Sequence, residues 1–146
     1  MKLLWNLIII LSIISSVNCY ASGVSVIIDG QFVESDTQPI VLNNRTLVPM
    51  RSIFEELGCS VEWIPETQTV IATKNSKIMA LQIGKSRIIM ADIETDITEV
   101  KEMDVSPFIH DDRTFVPIRV ISESFGYAVE WNGEESVITI LTKESA

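Results

Sequence analysis

Hydrophobicity is crowded at the front of this chain and then breaks into short, patterned runs. Leu3 to Ile14 is largely apolar behind a single Lys2, and Ser15, Ser16 and Asn18 lead on to Ala21 and Ser22. A positive start, a short apolar core and small residues form the order of an export signal. The run is short for a bilayer span, which needs about 20 residues. It predicts a signal peptide over 1–21, cut between Cys19 and Gly23; Val17 and Asn18 fit poorly with lipid attachment at Cys19. No stable membrane span is expected after cleavage.

Downstream, the period switches between that of strands and that of helices. Arg45 to Val48 is rich in β-formers and reads as a short strand. Pro49 fits a first helical turn, where its missing N–H costs nothing. Met50, Ile53, Phe54 and Leu57 then fall at i, i+3, i+4 and i+7, one apolar helical face. Gly58 supplies a left-handed stop. A hairpin follows, with strands Cys59–Trp63 and Thr69–Thr73 around a turn at 64–68.

The same order recurs with Pro117, Ile118, Ile121, Phe125 and Gly126, although Ser122 weakens the second helical face. Its hairpin runs Ala128–Trp131 and Ser136–Leu141, with Asn132-Gly133 expected to turn in positive φ. Val24–Val33 predicts a hairpin at Asp29-Gly30, and Lys77–Met90 another near Gly84-Lys85. Ala91–Val105 is polar and reads as a surface connection with at most a short strand around Met103.

This recurrence is literal. Gln38–Trp63 and Ser106–Trp131 align without a gap at an offset of 68 residues. The offset pairs Arg45 with Arg113, Pro49 with Pro117, Arg51 with Arg119 and Glu55 with Glu123. It also pairs Gly58 with Gly126 and Trp63 with Trp131. Self-similarity of this kind predicts a tandem duplication. The expectation is one domain over 22–143 made of two repeats, about 24–73 and 77–142. The expected fold class is α+β, antiparallel β hairpins with two short α-helices.

Charge narrows the partners. The formal net charge is −9, and an acidic surface repels phosphate backbones and anionic lipid, so no nucleic acid is expected. Cys19 leaves with the signal, so Cys59 stands alone, without an intrachain disulfide, and reads as a small buried residue.

The doubled motif Arg-Thr-[Leu/Phe]-Val-Pro-[Met/Ile]-Arg, followed by Glu, Gly and Val-Glu-Trp, resembles the N-terminal stalk domain of copper amine oxidases, a domain that recurs in secreted proteins of Gram-positive bacteria. Its positions here are Arg45–Arg51, Glu55, Gly58 and Val61–Trp63, and again Arg113–Arg119, Glu123, Gly126 and Val129–Trp131. The resemblance implies an accessory domain that holds neither copper nor quinone.

The residues agree with that implication. A type-two copper site wants several imidazoles, and the chain has one histidine, His110, expected on an exposed strand. Asp92, Glu94 and Asp96 alternate like the start of an EF-hand, but Ile97 and Met103 occupy the places that need Gly and Glu. The Arg51/Glu55 and Arg119/Glu123 spacings suit ion pairs on the helices. Trp63 and Trp131 could stack on sugar rings, or serve the core. No cofactor is expected. The sequence therefore predicts a secreted, non-enzymatic interaction module that binds an envelope protein or wall polymer. The alternatives are a wall-active hydrolase with an unrecognised site and a self-associating spacer.

Overall fold

A computed structural model of the chain describes residues 23–143, and they form an α+β fold that is mostly sheet. The order is β1 (Ser25–Ile28), β2 (Gln31–Phe32), β3 (Ile40–Leu42), β4 (Arg45–Pro49), α1 (Met50–Glu56), β5 (Ser60–Ile64) and β6 (Thr69–Lys74). Then come β7 (Lys77–Gln82), β8 (Arg87–Asp92), β9 (Ile97–Glu102), β10 (Phe108–His110), β11 (Arg113–Pro117), α2 (Ile118–Ser124), β12 (Ala128–Asn132) and β13 (Val137–Leu141). From β3 to β5, every boundary reappears 68 residues later, in β10 to β12.

Three sheets result. One has the order β10-β11-β4-β3, one β12-β13-β1-β2, and one β5-β6-β7-β8-β9. In the first, β4 and β11 pair antiparallel, with Val48 opposite Val116, Leu47 opposite Pro117 and Pro49 opposite Phe115. This register is reciprocal under the offset of 68, so a local pseudo-twofold axis passes through the Val48–Val116 pair. The prolines close the ladder at both ends, because they carry no N–H to extend it, and the chain turns there into a helix.

The pleat of these two central strands feeds two cores. Val48 and Val116 point into the main one, with Val26, Ile28, Val70, Met79, Ile88 and Ile140. Leu47 and Phe115 point the other way, against Val105. Each helix has seven residues, too few to persist alone, so tertiary packing must hold it. Met50, Ile53, Phe54 and Leu57 are all buried, as their spacing predicts. Gly58 and Gly126 end the helices at φ +77° and +86°. Lys74 Nζ donates to the Leu57 carbonyl at 2.6 Å, at the negative end of α1.

Three expectations are corrected. The segment Ala91–Val105 is no mere connection: Ile97–Glu102 is a full strand along β8. Its alternation went unread because both its faces are exposed, so no apolar period marks it. The hairpins are not all joined antiparallel, since β1 pairs β13 in parallel. Asn132-Gly133 does not turn in positive φ; Ser136 takes the left-handed place at φ 54°, as Gln68 does at 52° in the first hairpin. Asn132 instead accepts from the Glu134 and Glu135 amides at 3.1 and 3.2 Å. Beyond any expectation, β3 and β10 form tight hairpins through Asn43-Asn44 and Asp111-Asp112, which sit at positive φ as Asn and Asp tolerate.

The second helical face is weaker in composition but no less buried. Ser122 is fully buried, and its Oγ has no hydrogen-bond partner among the described residues. Phe125 carries the bulk of α2 and meets Phe54 edge to face at 6.2 Å. Two substitutions should move stability in opposite directions. Phe54→Ala should cost about 3–5 kcal/mol. Ser122→Ala should gain about 1 kcal/mol by removing an unpaired hydroxyl. Denaturant unfolding of both variants checks the signs.

Candidate functional site

Two clefts flank the β4–β11 seam, and the residues of the doubled motif line them. One cleft, of about 630 Å³, is lined by Arg45 and Thr46 from the first half, Asp104, and Pro117, Arg119, Glu123 and Trp131 from the second. The other, of about 600 Å³, is lined by Arg113 and Thr114, Asp36, and Pro49, Arg51, Glu55 and Trp63. Each residue of one set lies 68 positions from its counterpart in the other. Each cleft therefore draws on both halves of the chain.

An arginine–aspartate clasp ties each cleft across the seam. Arg45 at the start of β4 donates through Nε to Asp104 Oδ2 at 2.9 Å and is also ion-paired to it through Nη2. Arg113 at the start of β11 is hydrogen-bonded and ion-paired to Asp36 through Nη2. Asp36 and Asp104 are themselves 68 residues apart, but sequence reasoning missed both. They stand two residues before Gln38 and Ser106, where the aligned block begins, so extending the alignment upstream brings them into register.

The helical pairs stand on the other wall. Arg51 meets Glu55 at 3.4 Å and Arg119 meets Glu123 at 3.6 Å. Arg119 Nη1 also donates to the Val129 carbonyl at 3.1 Å, joining α2 to β12. Exposed pairs of this kind contribute only a few tenths of a kcal/mol. Each pair lines the same cleft as the tryptophan of its own half.

The tryptophans differ. Trp63 is half-buried and packs against the main core. Trp131 is 47% exposed. A Cβ at Gly133 would lie 3.3 Å from Trp131 Nε1, so this glycine leaves room for the indole beside the turn. The equivalent position in the first half is Pro65. Of the two motif tryptophans, the one more open to solvent thus belongs to the first cleft.

The remaining candidates lie apart from the clefts or are occupied locally. His110 ends β10 with its ring exposed, Nε2 3.3 Å from Asp111. Asp92 Oδ1 accepts from the Glu94 amide at 3.0 Å; this bond first, then one from Ser76, holds its carboxyl below the ordinary value. Cys59 is buried, and burial pushes its thiol up, away from the reactive thiolate. No group of three or more His, Cys, Asp or Glu side chains is set to hold a metal among the described residues. Among them, too, no helix is long and apolar enough to cross a membrane. The signal peptide expected over 1–21 lies outside the described residues.

Comparison with known proteins agrees with the motif. The family described as copper amine oxidase N-terminal domain matches residues 27–143. A curated relative, "Protease inhibitor" of Brevibacillus choshinensis, is 24% identical over 134 residues, covering 92% of this chain and 39% of that protein. The chain thus spans about two fifths of the length of the curated relative it matches.

The clasp makes a pH prediction. The hydrogen bond from Arg113 holds the Asp36 carboxyl below its ordinary 3.8. A depressed carboxylate stabilises the fold fully above its unfolded pKa and loses that contribution as pH falls through the lower, folded value. Asp36→Asn should flatten the fall in melting temperature below about pH 4 and leave the circular dichroism spectrum at pH 7 unchanged. Thermal melts across acid pH check it.

Proposed function

The chain belongs to the copper amine oxidase N-terminal domain family, and from that premise we propose a non-catalytic accessory module that holds an envelope protein or wall polymer in the Trp131 cleft. In amine oxidases this domain is a non-catalytic part, and the relative from Brevibacillus is named a protease inhibitor. The observation that carries the reading is that the half-exposed Trp131 lines one cleft with Arg45 and Arg119. Tryptophan and arginine supply a disproportionate share of binding energy at protein surfaces. An indole face also stacks on sugar rings, and the paired carboxylates Asp104 and Glu123 can accept from their hydroxyls.

The two halves are read as a duplicated unit, on the strength of the gapless sequence repeat and the common offset of strands, helices and clasps. Export by the segment 1–21 fits a partner outside the cell. The printed name of the relative favours a protein partner, such as a secreted peptidase, as the first to try.

Retention of the purified chain on isolated cell wall and on immobilised envelope and secreted proteins tests the reading. One of these fractions should retain the chain. Trp131→Ala should weaken that retention at least about tenfold, whereas Trp63→Phe should leave it nearly unchanged. Equal retention of the Trp131 variant, or no retention on any fraction, would overturn the cleft as the binding site.

A further inference from the structure

The edge of the five-stranded sheet is built to receive another strand. Its last strand, β9, borders only β8, and the Met103 amide donates to the Ser86 carbonyl at 2.7 Å just past its end. Antiparallel ladders alternate bonded and non-bonded pairs. Counting back from Met103 along this register, Lys101, Glu99 and Ile97 turn their amides and carbonyls toward β8. Thr98, Val100 and Glu102 turn theirs outward, where no strand among the described residues meets them.

Glu99, Lys101 and Glu102 put charge on this edge, yet the face of the sheet that leads to it is apolar. On the outward face of the sheet, Ile71, Ala80, Ile89 and Val100 lie directly opposite one another across β6 to β9. The row becomes more exposed toward the edge, with Ile89 at 42% and Val100 at 59%. An apolar row that ends at an unpaired strand is a template for association.

The charges on β9 select what joins it. If β9 met a copy of itself about a twofold axis at Val100, Glu99 would face Lys101 of the second copy, and Lys101 would face its Glu99. Thr98 would face Glu102. Moving the axis by one residue either way sets like charge against like, Glu99 on Glu99 or Lys101 on Lys101. An axis between Val100 and Lys101 sets Glu99 against Glu102. Centring on Val100 also places an outward-turned residue on the axis, so the two strands can exchange N–H···O bonds at Val100. Glu99 and Lys101 then fall in the non-bonded pairs, where side chains come closest.

We propose that β9 is a homodimer interface, with a second copy of this chain adding its own β9 antiparallel, centred on Val100. The apolar row then runs without interruption from Ile71 of one copy to Ile71 of the other. The interface meets the partner-binding cleft proposed above at Glu102, which lines that cleft, but its test reads self-association and not partner retention, so the two can succeed or fail independently.

Sedimentation equilibrium of the purified chain over a concentration series tests this. The chain should dimerise reversibly. Glu99→Lys alone and Lys101→Glu alone should each weaken dimerisation at least about tenfold, because each sets two like-charge pairs across the axis. An equimolar mixture of the two single variants should recover dimers, as should the double variant, since opposite charges face one another again. Recovery on mixing also rules out misfolding as the cause of the single-variant defect. A chain that stays monomeric at every concentration overturns the proposal. So does a dimer that ignores both single substitutions, or one that neither mixing nor the double variant restores.

Discussion

The pairing of β4 with β11 is the contact on which the rest of the molecule depends. Val48 and Val116 face each other at its centre, and Leu47, Val48, Phe115 and Val116 are buried almost completely. Two strands from distant parts of the chain thus fill two cores at once, one on each face. A substitution at Val48 or Val116 would open one, and at Leu47 or Phe115 the other. The helices that leave the seam are too short to stand alone and take their positions from it. The clefts are what remains between these helices and the edge strands on either side.

Reciprocal geometry explains why the charged motif residues recur as sets. A clasp on one side of the seam, Arg45 to Asp104, has its counterpart in Arg113 to Asp36. Each arginine reaches an aspartate that precedes the other half. Neither half could complete its own cleft. Within this common frame the two sites differ in one respect: Trp131, two residues before Gly133, is 47% exposed, whereas Trp63, two residues before Pro65, is half-buried against the main core.

Much of this was legible in the chain. The apolar spacing of Met50, Ile53, Phe54 and Leu57 defines a helical face, and the glycines that follow have little use except to end a helix. Asp29-Gly30 turns as its residue types demand, at φ 48° and 83°. What was not legible depended on partners. Strand β9 has no buried face to impose an alternation, so only the hydrogen bonds of β8 reveal it. The turn at Asn132 follows its side-chain bonds to two amides rather than the usual Asn-Gly geometry. The parallel pairing of β1 with β13 joins residues more than a hundred positions apart, which no local pattern encodes. The clefts were half visible: their arginines, glutamates and tryptophans stood in the motif, while the aspartates that complete them lay just outside it.

The parallel pair β1–β13 also decides how the domain answers tension. Ser25 lies beside Val137 and Ile28 beside Ile140, so the two ends of the described chain leave this pair at opposite ends of it. Pulling on both slides one strand along the other and loads all of their hydrogen bonds together, instead of peeling them apart singly. The Thr142 amide, which donates to Asp29 Oδ1 at 2.9 Å, adds a further tie at the far end. Resistance to being drawn out lengthwise is therefore set by how fast this shear contact yields, and not by the weakest single bond along it.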